Sequence, residues 1–130
     1  MKIAYLKDGN IVVEAFTHEV EVDFPHVVID REISEPIESW YIEDGVIKID
    51  QQKLIEFNRK NMPILTPIEF DIKLNNAGLY EAVQDLIKNS FELRIAYNRA
   101  TFFSRTDPFI DQARIALNLT DEQVDQMWMN

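Results

Sequence analysis

The chain has 130 residues, of which 46% are hydrophobic and 28% charged, and its formal net charge is −10. This length and composition predict one soluble domain or two small subdomains and exclude a linker-like or repetitive chain. The complete absence of cysteine excludes disulfides, thiol catalysis and cysteine-based zinc sites.

The acidic residues are concentrated in the first fifty positions. Residues 1–50 contain 12 Asp or Glu and 4 Lys or Arg, a charge of −8, whereas residues 51–130 contain 11 and 9, a charge of −2. This excess disfavours general nucleic-acid binding, which needs clustered Lys and Arg. It suits either solubility alone or attraction to a basic partner.

Residues 1–50 have the pattern of short antiparallel strands. Two Asp-Gly dipeptides, at positions 8–9 and 44–45, each separate two apolar runs, which is a strong signal for a hairpin. Between the hairpins, VEVDF at residues 20–24 alternates apolar and acidic side chains, as a half-buried strand does. HVVID at residues 26–30 is a further β-branched run. We therefore predict a small antiparallel β meander.

From Asp50 onward the apolar spacing becomes helical. Asp50 is a candidate N-cap for a connecting helix or linker within residues 51–64. Thr66 then begins a better specified helix, because Glu69 stands three residues later and completes a capping box. Gly78 is placed to end this helix.

Four more helical segments follow, and the last two carry strong start signals. Residues 79–90 and 91–105 have apolar side chains at helical spacing, Asp107 caps the next helix, and Thr120 begins the last with a second capping box. The predicted apolar stripes comprise Ile68, Phe70, Ile72, Leu74, Leu79, Val83, Leu86, Ile87, Leu93, Ile95, Ala96, Phe102 or Phe103, Phe109, Ile110, Ala113, Ala116, Leu117, Val124, Met127 and Trp128. Residues 65–130 should form a bundle of four to five short helices, which makes the chain α+β.

No catalytic or metal-binding motif is present. The sequence has no glycine-rich phosphate loop, no GxSxG and no HExxH. His18 and His26 lie in the acidic half, but strand alternation separates His18 from Glu19, Glu21 and Asp23, so these ligands do not converge. We expect neither an enzyme nor a bound metal or cofactor.

The two final helices invite a DNA-binding interpretation. The last helix, however, contains Asp121, Glu122 and Asp125 and no Lys or Arg. A recognition helix in a major groove needs the opposite charge, so we expect no nucleic-acid partner.

Large aromatic and arginine side chains are the candidate contacts for a protein partner, because both types are enriched at interface hot spots. The candidate contacts are Trp40, Tyr41, Arg94, Tyr97, Arg99, Arg105 and Trp128. Two alternatives stay open. The arginines either brace the helix ends, with Arg105 beside Asp107, or face a partner. The large aromatics Trp40, Tyr41 and Trp128 either complete the core or dock onto another chain.

Several short motifs follow one another from residue 65 onward: LTPxxF, AG, AYxxAxxFxR, DP and LTxEQVDxxW. They are carried by Leu65, Thr66, Pro67, Phe70, Ala77, Gly78, Ala96, Tyr97, Ala100, Phe103, Arg105, Asp107, Pro108, Leu119, Thr120, Glu122, Gln123, Val124, Asp125 and Trp128. This half resembles small proteins encoded in tailed-phage and prophage genomes near tail-fibre genes, a family without an established activity. The runs YLKDGNIV and WYIEDGVIKI resemble the β-rich start of phage tail-fibre assembly proteins.

The resemblance implies a non-enzymatic accessory protein that binds a tail or tail-fibre component, as an assembly chaperone or a minor structural subunit. The alternative is an acidic host-directed inhibitor that imitates nucleic acid, which rests on the charge of residues 1–50. Lys7 interrupts any signal-peptide core, and no apolar run is long enough to span a membrane. We expect the protein in the host-cell cytoplasm or in the virion, with its oligomeric state open.

Overall fold

A computed structural model describes the whole chain from Met1 to Asn130. The chain divides into two units, a β unit of Met1–Phe57 and a helical unit of Asn58–Asn130, so the fold is α+β as predicted. The strands are β1 (Lys2–Lys7), β2 (Asn10–Ala15), β3 (Val27–Ile29), β4 (Trp40–Glu43) and β5 (Val46–Ile49). The helices are α1 (Gln51–Lys60), α2 (Pro67–Asn76), α3 (Tyr80–Lys88), α4 (Phe91–Arg99), α5 (Pro108–Ala116) and α6 (Asp121–Met129). The boundary between the units falls inside α1.

The β unit contains an antiparallel sheet in the order β2-β1-β3 and a separate hairpin of β4 and β5. Ile3 and Ala4 are fully buried because they lie on the central strand β1. Both predicted Asp-Gly turns form. The two turn residues have positive φ in each case, 53° and 80° at positions 8 and 9 and 55° and 72° at positions 44 and 45, which matches the twist of a hairpin.

The prediction of a strand at residues 20–24 is wrong. This segment has no ladder partner, although its apolar and acidic residues alternate. The short strand β3 takes the second side of β1, pairing with residues Lys2 to Ala4. Alternation describes which side chains would be buried in a strand, but a strand also needs a neighbour to accept its backbone hydrogen bonds.

The helix starts in the second half are those that the sequence predicts. Asp50 accepts a hydrogen bond from the backbone of Lys53, 3.1 Å away, at the start of α1. Thr66 and Thr120 each form a complete capping box, and Asp107 accepts from the backbone of Phe109. Local side-chain chemistry therefore fixes where these four helices begin.

The predicted helix over residues 91–105 is shorter in the structure. α4 ends at Arg99, and Ala100 is extended. The chain then runs beside the segment before α2, where Phe103 and Leu65 exchange two backbone hydrogen bonds of 2.9 and 2.7 Å. This pairing satisfies the backbone outside the helix and turns Phe103 into the core, where it is 1% exposed.

The helical unit has one apolar core. It is built from Leu65, Phe70, Leu74, Val83, Ile87, Phe103, Phe109, Ile110, Ala113, Val124, Met127 and Trp128. Several residues that the sequence assigned to apolar stripes are instead exposed: Ile68, Ile72, Ile95, Ala96 and Ala116. Of the two alternatives Phe102 and Phe103, Phe103 is the buried one. Phe70 and Leu74 form the buried stripe of α2, so Ile68 and Ile72, each two positions from a buried residue, lie on its outer face.

Candidate interaction surfaces

Arg105 lies in the interior of the helical unit, with 5% of its surface exposed. Its Nε donates to Asp125 Oδ1 at 2.8 Å, and its Nη2 donates to the carboxylate and the carbonyl of Asp121 at 3.1 and 3.2 Å. The sequence placed Arg105 beside Asp107 as a brace, but Asp107 caps α5 and the partners of Arg105 are on α6. Arg105 is thus a structural residue and is not accessible to a partner.

Two further arginines complete this cluster around the start of α6. Arg59 Nε binds both carboxylate oxygens of Asp125 at 2.9 and 3.1 Å. Arg114 binds Asp111 at 2.9 Å and Asp121 at 3.2 Å. The hydrogen bond from Arg105 is the main reason that the pKa of Asp121 is lowered. The acidic residues of the last helix, which argued against DNA binding, are therefore largely neutralised by arginines of the helical unit.

Trp128 is a core residue, being 1% exposed. Its ring lies 5.8 Å from that of Phe70, and its indole N–H donates to the carbonyl of Pro63 at 2.7 Å. Of the two alternatives for this tryptophan, the structure therefore supports the first: Trp128 completes the core and is not a partner contact.

Tyr97 is half-buried and its hydroxyl is used within the unit. The hydroxyl donates to Asp71 on α2 and accepts from Gln84 on α3 at 3.3 Å. Its ring lies 6.0 Å from that of Phe103. Burial, and then the hydrogen bond to Asp71, raise the pKa of this phenol above its ordinary value. Tyr97 ties α4 to α2 and α3, which leaves little of it for a partner.

The remaining candidates are more accessible. Trp40 is half-buried, and its indole N–H donates to the carbonyl of Glu35 at 2.9 Å. Tyr41, beside it, is 38% exposed. On α4, the Arg94 guanidinium lies 5.5 Å from the centre of the Phe91 ring, and Arg99 is exposed. The seven predicted contacts therefore do not form one surface.

Sequence reasoning missed two pairs of exposed apolar side chains in the helical unit. Ile68 and Ile72, one turn apart on α2, are 73% and 54% exposed. Phe91 and Ile95 repeat this spacing on α4 and are 68% and 39% exposed. We call these four residues the apolar helix pairs. Apolar periodicity could not find them, because it assigns apolar residues to the core and does not separate an inner stripe from an outer one.

The β unit has a groove of about 720 Å³ beside the end of β1. Tyr5, Phe24 and His26 line it, and the Tyr5 and Phe24 rings are 4.8 Å apart and edge to face. His18 and His26 make only local hydrogen bonds, with Thr17 and with the carbonyl of Phe24. No group of three or more His, Asp or Glu side chains is arranged to hold a metal ion.

Comparison of the chain with protein-family models, curated proteins and solved structures found no match. None of the helices is both long and apolar enough to cross a membrane.

Proposed function

We propose that this protein is a phage or prophage accessory protein that binds a tail or tail-fibre component without catalysing a reaction, as an assembly chaperone or a minor structural subunit. The observation that carries the binding role is that each of the apolar helix pairs places two exposed apolar side chains one turn apart, since contiguous apolar patches mark protein–protein contacts. The phage setting rests on the motif resemblance from residue 65 onward.

The two apolar helix pairs have the spacing that a helical face uses to bind a partner. Residues four apart on a helix lie one turn above each other, so each pair presents a continuous apolar strip. The hydrogen bond from Tyr97 to Asp71 links α4 to α2, the two helices that carry the strips. Arg94 over the Phe91 ring adds a cation that a partner can approach.

Co-expression tests this role. The protein and a tail-fibre protein from the same phage or prophage should form a complex that survives gel filtration, with a higher soluble yield of the fibre. The double variant Ile68→Ser, Ile72→Ser should abolish the complex while the protein stays folded, because both side chains are exposed. Ile115→Ser on α5 is the matched control, since Ile115 is 63% exposed and should not matter. The proposal would be contradicted if the complex still formed with the double variant. It would also be contradicted if Ile115→Ser abolished the complex.

A second function, inhibition of a basic host protein by nucleic-acid mimicry, is favoured by the state of the carboxylates in residues 1–50. All of these acidic residues are exposed except Glu35 and Asp50, which are half-buried. The pair of Lys48 with Glu43, 3.3 Å apart, is the single ion pair of the β unit. Most of the carboxylates in residues 1–50 are therefore unpaired. A pull-down from host lysate that recovers a nucleic-acid-binding protein and no phage component would favour this second function.

A further inference from the structure

Strand β2 forms a complete free edge of the sheet in the β unit. Phe16 donates its N–H to Met1 O at 2.6 Å, and the Met1 amino group donates to Phe16 O at 2.9 Å. Hydrogen-bonded pairs alternate along an antiparallel ladder, so the register makes Ile3–Glu14, Tyr5–Val12 and Lys7–Asn10 the next such pairs. The N–H and C=O groups of Ile11, Val13 and Ala15 point away from β1, where no strand lies.

This edge has few of the features that usually prevent another strand from pairing. β2 has no Lys and no Pro, and its six residues pair with β1 without a bulge. The opposite edge differs, because β3 has only three residues and Pro25 precedes it closely. The sheet therefore offers one side on which an extended chain can add.

We propose that the free edge of β2 accepts an extended segment of another protein in which apolar and basic side chains alternate. This site lies in the β unit and does not depend on the function proposed for the apolar helix pairs. Backbone hydrogen bonds to Ile11, Val13 and Ala15 hold the segment, and its side chains give the specificity.

One face of the added strand meets Val13 and the groove beside it. Val13 is 37% exposed and lies beside an open groove of about 560 Å³. Ile29, Ile33 and Trp40 contribute apolar surface to this groove, and Lys2, Asp30, Arg31 and Glu32 line the rest of it. Apolar side chains at alternate positions of the segment pack against Val13, because cross-strand neighbours on one face of a sheet contact each other.

The other face carries one carboxylate, and the chain that follows β2 carries three more. Glu14 is exposed on the side opposite Val13, where the Tyr5 hydroxyl donates to it at 2.7 Å. Glu19, Glu21 and Asp23 follow β2, and all are exposed and outside the single ion pair of the unit. Basic side chains opposite Glu14 are therefore attracted, whereas a second copy of β2 would bring like charges together.

The test uses the full chain and a short synthetic peptide of alternating valine and lysine. The peptide should bind and should slow hydrogen exchange at the amides of Ile11, Val13 and Ala15. A peptide with N-methyl groups on alternate backbone nitrogens should not bind, because it cannot complete the ladder. A valine–glutamate peptide should bind at least about tenfold more weakly, since opposite charges across a strand pair attract and like charges repel.

Val13→Pro removes an outward N–H without breaking a bond to β1, so it should weaken binding by about tenfold or more. Val28→Pro is the matched control, because Val28 is 51% exposed on the opposite edge strand β3 and should leave the affinity within about twofold. Equal binding of the N-methylated peptide would overturn the proposal, as would absence of protection at the β2 amides. Concentration-dependent protection of these amides without peptide would also overturn it, by making a second copy the occupant.

Discussion

At the scale of single residues, Trp128 stabilises the core of the helical unit. Its ring packs against Phe70, and its N–H reaches the carbonyl of Pro63, so both the apolar and the polar part of the side chain are satisfied in the interior. The spacing of Val124, Met127 and Trp128 predicts their shared face, and all three are buried. Spacing gives no information on Pro63, which lies far from Trp128 in sequence.

Trp128→Ala should destabilise the protein by about 3–5 kcal/mol, because truncation of a buried aromatic leaves a cavity. Urea denaturation followed by circular dichroism measures this loss. Met129→Ala is the control, since Met129 is 57% exposed. Equal midpoints for wild type and Trp128→Ala would contradict the core position of the tryptophan.

Thr120→Ala should cost about 1 kcal/mol of stability through loss of an N-cap. The Thr120 hydroxyl accepts from the backbone of Gln123 at 3.1 Å, and the Gln123 side chain accepts from the backbone of Thr120 at 2.8 Å. Thr106→Ala removes an exposed threonine outside any helix and should change little. Chemical denaturation of both variants measures the difference. Equal midpoints for Thr120→Ala and Thr106→Ala would show that the cap does not stabilise the protein.

At the scale of elements, the sequence predicts where helices begin but does not predict which other elements each helix contacts. Capping boxes at Thr66 and Thr120 involve residues three apart, so the sequence displays them directly. The partners of Arg105 lie on α6, and the pairing of Leu65 with Phe103 joins distant segments. Such contacts depend on how elements pack, which local patterns do not encode.

The arginine–aspartate cluster around α6 predicts a pH dependence of stability. The pKa of Asp121 is lowered in the folded protein, chiefly by its hydrogen bond from Arg105. Its contribution to stability is therefore present above the unfolded value of about 3.9 and is lost as the pH falls through the lower folded value.

Thermal unfolding of Asp121→Asn measures this contribution. The variant should melt below wild type near neutral pH, and the difference should shrink as the pH falls below about 4. Asp85→Asn, at an exposed position on α3, is the control and should follow wild type throughout. A difference between Asp121→Asn and wild type that stays constant over this range would show that the carboxylate charge is not what stabilises α6.

At the scale of the whole molecule, the two units carry different kinds of surface. Residues 1–50 hold a charge of −8 and residues 51–130 a charge of −2, and the helical unit carries the apolar helix pairs. The difference in charge could be predicted, because it is counted from the sequence alone. The apolar helix pairs could not be predicted, because Ile68 and Ile95 match a core pattern in the sequence. Their exposure depends on how the neighbouring helices pack.

The salt dependence of partner binding tests most directly whether the protein acts through the apolar helix pairs. Apolar contacts are little affected by ionic strength, whereas attraction between exposed charges is screened beyond about 10 Å at 0.1 M salt. We expect the dissociation constant of the complex with a tail-fibre protein, measured by calorimetry, to change less than about threefold between low and moderate salt. A steep loss of affinity over this range would contradict the account and show that exposed charges carry the binding.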